Sequence, residues 1–531
     1  MLFTSYAFLG FMILLIITYY LIPGKFQWSL LLAFSYLFYF FTDSRYLFYI
    51  IATTVTVYLA SILISRNSDK QRNYLKEHKE EISKEEKKAY KNRQRKRRCR
   101  WLVVCLLLNL GILAVVKYTN FFISNVNHVF HTFGEETQLS FVTLIMPLGI
   151  SFYTFQAIGY LIDVYQETVE TEKNPFKLAL FISFFPQLMQ GPISRFDDLS
   201  KTLYKEHKFD IRTVNRGLQR ILWGYFKKLV VADRLLAAVS TITGNTEVYS
   251  GAYIFVGMLF YTVELYADFT GGIDITIGIA EALGIVVQEN FNRPYFSKSL
   301  KEYWRRWHIS MCAWFRSYVF YPLSASRILQ KFAAFSRRHF GEKTGRRLPV
   351  YVASFVVWLA TGVWHGASWN FIVWGLANWL ILMVSEELEP CYAGFHTRYP
   401  NIGKKKFYKI FQIGRTFLLV CFLNLFDCYS SVTDTLCMAG SMFVEGNWNV
   451  LWNGALLELG LSAVDYGVLA FGVAVMIAVS LIQRSGSVRD RIAVRSYPLR
   501  FVVWYGLFLV VLLMGNYGIG YDASQFIYNQ F

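Results

Sequence analysis

Long uncharged apolar runs alternate along the whole chain with shorter polar segments, most of them basic. Runs fall at residues 7–22, 46–65, 101–116, 252–263, 466–482 and 501–514. About 20 apolar residues span a bilayer as helix, and shorter runs cross or re-enter where other helices shield them. The pattern predicts an all-α integral membrane protein, a multi-span helical bundle with roughly 11 to 13 membrane helices and re-entrant hairpins. The first run is read as a retained anchor, because the N-terminus MLFTSY has neither a basic leader nor a small-residue cleavage site.

The polar segments orient these elements. Residues 66–100 hold 15 Lys/Arg against 6 Asp/Glu and end in KNRQRKRRCR. Residues 327–347, 398–415 and 484–500 are also basic, whereas 427–465 and 119–140 contain no Lys or Arg. Basic loops stay in the cytoplasm, so 66–100 is a basic cytoplasmic loop touching membrane lipids. Counting spans from it puts the N-terminus and a C-terminal tail, 515–531, outside. Nucleic-acid binding is the weaker reading of this charge.

The same count gives shape to the charge-free stretch 348–385, which contains TGVWHGASWNFIVWG and the lone histidine His365. With basic segments on both sides, the stretch is a hairpin whose turn lies near His365-Gly366-Ala367-Ser368. Its first arm, 17 residues, is about 26 Å long as helix. Gly366 permits the tight turn. A titratable ring is costly in such surroundings, and its two nitrogens serve as proton acceptor and donor. Upstream, NFNRPYFSKSLKEYWRRWHISMCAWFRSYVFYPL mixes aromatics with Arg305, Arg306, Arg316 and His308. Helical spacing would stack Trp304 on His308. An interfacial helix is one reading of the segment, and a cationic, aromatic-lined site for an acyl carrier is the other.

Composition agrees with this picture: 54% of the 531 residues are hydrophobic, 17% are charged, and the net charge is +18. The seven cysteines show no ligand spacing, and no HExxH or GxxxxGKS pattern occurs. No metal site, bound cofactor or nucleotide hydrolysis is therefore expected. Asp268 and Asp274 in ADFTGGIDITIG are read as structural or positioning groups that cap a helix break at Gly271-Gly272. Asp163 is read as a surface cap. The other six histidines, among them His207, are read as solvated.

Taken in order, SFYTFQAIGYLIDVY, LFISFFPQLMQGPISRF, ADFTGGIDITIGIAEALGI, YWRRWHIS and WHGASWNF resemble the membrane-bound O-acyltransferase superfamily, in its bacterial alginate O-acetyltransferase-like branch. The paired WRRWHIS and WHG segments, with histidines 57 residues apart, are the most specific part. The chain departs from the family at Ser324-Ala325-Ser326-Arg327, where Gly-Gly-Asn-Arg is common. The resemblance implies a single membrane domain over 1–531 with a central tunnel, in the bacterial cytoplasmic membrane. It implies an acetyltransferase that passes acetyl from cytoplasmic acetyl-CoA outward, for O-acetylation of an extracellular or cell-wall polysaccharide. A separate extracytoplasmic acetyltransferase or esterase-like protein would complete delivery to that acceptor.

His365 matches the family's characteristic histidine and His308 its partner. His365 is favoured as base, although the reverse assignment remains open at this point. Tyr528, in the terminal FIYNQF, matches a family tyrosine regarded as a possible acyl shuttle. Donor binding falls to Trp304, Arg305, Arg306, Trp307, Arg316, Trp364 and Asn370. Two further readings compete. D-alanyl transfer from a carrier protein to teichoic acid is disfavoured by the 166 residues that follow His365. A polysaccharide or proton-coupled transporter is disfavoured by the lack of an inverted repeat.

Overall fold

A computed structural model describes residues 3–134 and 137–517. Tyr528 and most of the tail 515–531 lie outside the described residues. Seven described helices are long and apolar enough to cross a membrane, or eight if Trp369–Glu387 and Glu389–Arg398, bent by 46°, form one span. The lower number arises because several apolar runs form shorter helices, such as Tyr6–Leu21 and Val432–Val444. The chain is a multi-pass, all-α membrane protein. In the apolar window of Tyr497–Met514 no residue is buried, and in that of Lys84–Thr132 only 17% are. Apolar faces of this extent mark surfaces covered by lipid or by another protein.

The backbone forms two compact units, residues 1–217 with 279–288, and residues 218–278 with 289–531. In the first, Phe8, Phe11, Phe34, Phe38 and Phe185 pack as one aromatic cluster. Helices Tyr46–Glu77 and Lys84–Thr132 run on from their apolar runs into the basic segment. The basic loop is therefore mostly helix, with Ser83 and Glu86 capping the second arm reciprocally. Arg98 pairs with Glu167 and donates to Ser68 Oγ at 2.6 Å. His207 is half-buried, its Nε2 2.8 Å from Thr202 O, and Asp163 is 7% exposed. Neither is the solvated group expected: the helix of Asp163 packs on Tyr46–Glu77 and Lys84–Thr132, and the His207 backbone is bonded to buried Gln27.

The second unit holds the site. Its core gathers Phe226, Val230, Val231, Leu235, Met258 and Cys421. Helix Ala252–Ala282 runs unbroken through Gly271-Gly272, so Asp268 and Asp274 cap no break. Gly271 and Gly224 instead let two helices touch: a Cβ on Gly224 would lie 2.6 Å from Gly271 O. Buried ion pairs form beside that crossing. Lys228 Nζ lies 2.6 Å from Asp268 and 2.7 Å from Asp233. Asp274 takes Lys227 Nζ at 2.6 Å and Arg220 Nε at 2.9 Å, and Arg220 also grips Glu289 with two bonds of 2.6 Å.

Candidate active site

His365 ends helix Arg327–His365, and Ser368 caps helix Trp369–Glu387 through the Asn370 N–H. The turn expected at 365–368 is present. Its arms pack at backbone distance: a Cβ on Gly375 would meet Trp358 O and Gly362, and one on Gly366 would strike the Phe371 ring. Small residues at these places are what allow the hairpin to close. The His365 ring is half-buried, edge-on to Trp374 at 4.7 Å and stacked with Phe371 at 6.2 Å.

His308 reaches the same place by a different device. The chain is not helical through 304–308: Leu300–Tyr303 ends, a turn follows, and His308 itself is left-handed (φ 45°, ψ 54°) as N-cap of Ile309–Phe315. The expected i,i+4 stacking of Trp304 on His308 is therefore absent. A β-carbon in this region costs about 1–3 kcal/mol and persists only when neighbours hold it. Those neighbours lie at 290–292. Asn290 O accepts from the Ile309 N–H at 3.0 Å, and the Asn292 N–H donates to Arg306 O at 2.9 Å. Asn290 Oδ1 accepts from the Ser310 N–H at 3.0 Å and hydroxyl at 2.9 Å. Asn290 Nδ2 lies 3.3 Å from His308 Nδ1.

Trp364 joins the two histidines, with its ring centroid 6.0 Å from His308 and 5.2 Å from His365. Phe269 closes the other side of His308 at 5.0 Å. His308 has no solvent exposure. Trp304 ties the segment to the hairpin, packing on Trp358 and Trp374 at 5.0 and 5.6 Å and donating to Asn378 Oδ1 at 3.1 Å.

A cavity of about 340 Å³, largely apolar, is lined by Trp304, Cys312, Arg316, Tyr321, Trp358 and Thr361 among others. Thr361 is four residues before His365, one helical turn or about 6 Å, and Cys312 is one turn after His308. Of the expected donor-binding residues, Trp304 and Arg316 line this cavity. Arg305 is exposed, while Arg306 is held by Glu302 at 2.5 Å. Trp307 is buried between Tyr303 and Phe291. Asn370 anchors the hairpin by donating to Tyr429 O at 2.6 Å and Thr435 Oγ1 at 3.2 Å. Sequence reasoning missed Asn290, Cys312, Trp358, Thr361 and the lysine pair. The lysines carried a usable signal: two adjacent charges inside the apolar run YFKKLVVA. Among the described residues, no group of three His, Cys, Asp or Glu side chains is placed to hold a metal.

The sequence model of the membrane-bound O-acyltransferase family matches residues 171–336, which include His308. The chain is 32% identical over 387 residues to the probable alginate O-acetylase AlgI of Azotobacter vinelandii, covering 72% of this chain and 68% of that protein. The chain belongs to the membrane-bound O-acyltransferase family. It is thus an O-acyltransferase. It is also 31% identical to the peptidoglycan O-acetyltransferase of Helicobacter pylori, over 57% of this chain and 58% of the relative. Similarity to the teichoic acid D-alanyltransferase of Bacillus subtilis is 28% over 52% of this chain and 68% of that one. Within this acyltransferase, the arrangement offers two imidazoles among aromatic side chains, joined by one tryptophan, with a largely apolar cavity lined by residues one helical turn from each.

Proposed function

We propose that this acyltransferase moves acetyl from cytoplasmic acetyl-CoA to a hydroxyl destined for an extracellular or cell-wall polysaccharide. The observation that carries the reading is the cavity lined by Ser354, Val357, Trp358 and Thr361 of the His365 helix and by Met311 and Cys312 just after His308. Ser354, at its far end, is 11 residues or about 16 Å of helix before His365. That is the direction of the basic segment 327–347, the cytoplasmic side by the charge rule. A largely apolar cavity with Arg316 in its wall suits the arm of a thioester donor whose phosphates stay near the cytoplasm.

In this mechanism His365 removes the proton of the acceptor hydroxyl as its oxygen attacks the thioester carbonyl. His308 donates a hydrogen bond to the oxyanion that develops. The C–O bond forms, the C–S bond breaks, and the thiolate leaves with the proton held by His365. The acceptor in the first step is Tyr528 or a group on a separate extracytoplasmic acetyltransferase or esterase-like partner, which completes transfer to the polysaccharide. The host membrane is the bacterial cytoplasmic membrane, and both termini face outward.

Purified protein in nanodiscs, given acetyl-CoA labelled in the acetyl group, should release CoA and label the acceptor. Transfer of D-alanyl and not acetyl would replace this reading with the teichoic acid D-alanyl transfer in the Bacillus subtilis relative's name. Transport of a solute with no acyl release would remove the reading. Filling the cavity with Val357→Trp should raise the KM for donor about tenfold, equivalent to ~1.4 kcal/mol, with the melting temperature unchanged. Tyr528→Phe should block labelling of the polymer while donor binding persists. Polymer acetylation at the wild-type rate would exclude Tyr528 as shuttle.

A further inference from the structure

We propose that Asn290 is a positioning residue that locks His308 in the tautomer with its proton on Nε2. His308 is then the hydrogen-bond donor of the site, and proton abstraction is left to His365. The proposal rests on the acyl-transfer reading for its kinetic consequence, but its geometry stands apart from the donor's identity.

One group at this site has a polarity that cannot be adjusted. A backbone N–H only donates, and that of Ser310 meets Asn290 Oδ1 at 3.0 Å. The Ser310 hydroxyl reaches the same oxygen at 2.9 Å. The carboxamide oxygen is thereby assigned to Ser310, and the opposite end of the amide, facing His308 Nδ1 at 3.3 Å, is the NH2. An amide NH2 only donates. Toward this NH2 it is Nδ1 that accepts, and a neutral imidazole that accepts at Nδ1 carries its single proton on Nε2. A proton added at Nδ1 would face the Asn290 N–H head-on, so the contact also disfavours the charged ring. Asn290 and His308 have no solvent exposure, so bulk water does not reach either partner.

The same residue holds the backbone that presents the ring. Asn290 O takes the Ile309 N–H at 3.0 Å, so one asparagine bonds to three successive residues, 308, 309 and 310. Their left-handed entry into the helix Ile309–Phe315 and the ring tautomer therefore have one source. An imidazole with Nε2–H cannot take a proton at that nitrogen. It can hydrogen-bond an oxyanion, and the base must be the second ring, His365, across Trp364.

The isosteric Asn290→Asp separates this role from packing. Its carboxylate keeps an acceptor toward Ser310 and presents a second acceptor to Nδ1, moving the ring proton there and leaving Nε2 without one. Full-length protein labelled with 15N-histidine in lipid, with His308 assigned by difference from His308→Gln, should show a protonated Nε2 in wild type and a protonated Nδ1 in Asn290→Asp. The kcat of Asn290→Asp should fall about 100-fold, as for loss of an oxyanion donor, with KM for acetyl-CoA within about twofold. Asn290→Ala should fall about tenfold. If wild-type His308 carries its proton on Nδ1, or Asn290→Asp turns over at the wild-type rate, the proposal is overturned. Absence of acetyl transfer by wild type would instead remove the acyl-transfer reading, and the spectrum would still decide the tautomer.

Discussion

His365→Ala should lower acyl transfer by about 10²–10⁴-fold, the usual loss when a positioned general base is removed. The protein should still insert, purify and melt as wild type. The ring is only half-buried, and the turn it sits in is held by other contacts: the Ser368 cap, Asn370 on Tyr429 O and Thr435, and the Gly362–Gly375 crossing. None passes through the imidazole. The decisive measurement is single-turnover release of CoA from labelled acetyl-CoA by protein matched for folded fraction. A wild-type rate in His365→Ala would eliminate the site. His365→Gln should be equally inactive, because an amide keeps the size but is no base. This pair separates proton transfer from packing against Trp374 and Phe371.

The second large effect is on folding. Lys228→Met should destabilise the protein by about 3–5 kcal/mol, the cost of leaving buried charge uncompensated. Lys228 Nζ stands between Asp268 and Asp233, and the three side chains are 1%, 0% and 1% exposed. Methionine fills the space, so the loss measures charge and not volume. The double change Lys228→Met with Asp268→Asn should recover part of it, because one orphaned carboxylate is removed. Thermal melting of the solubilised protein, followed by size-exclusion fluorescence, reads both. An unchanged melting temperature in Lys228→Met would show that these carboxylates are protonated and need no cation.

The two histidines differ in how far sequence alone could place them. For His365 the needed information is local: a charge-free stretch between basic segments must turn back, and glycine and alanine mark where. The structure puts the turn there. For His308 local spacing misled. WRRWHIS reads as helix by periodicity, yet the chain breaks at His308 because Asn290, 18 positions earlier, offers better hydrogen bonds to Ile309 and Ser310 than a continued helix would. ADFTGGIDITIG misled in the same way. Paired glycines suggested a break, but Gly271 serves a close crossing with Gly224 inside an unbroken helix.

Sequence by itself determined the class of solvent, the all-α architecture, the hairpin and the family-bearing histidines. These follow from runs of residues whose free energy in lipid or water depends on composition and near neighbours. Only the tertiary structure decided that Lys227 and Lys228 are paired, that Asp268 and Asp274 are their partners, and that Asn290 governs His308. Those pairings join positions 18 to 47 residues apart. A buried charge or a ring tautomer is settled by whichever donor or acceptor folding brings within 3 Å or so, which no local pattern along the chain records.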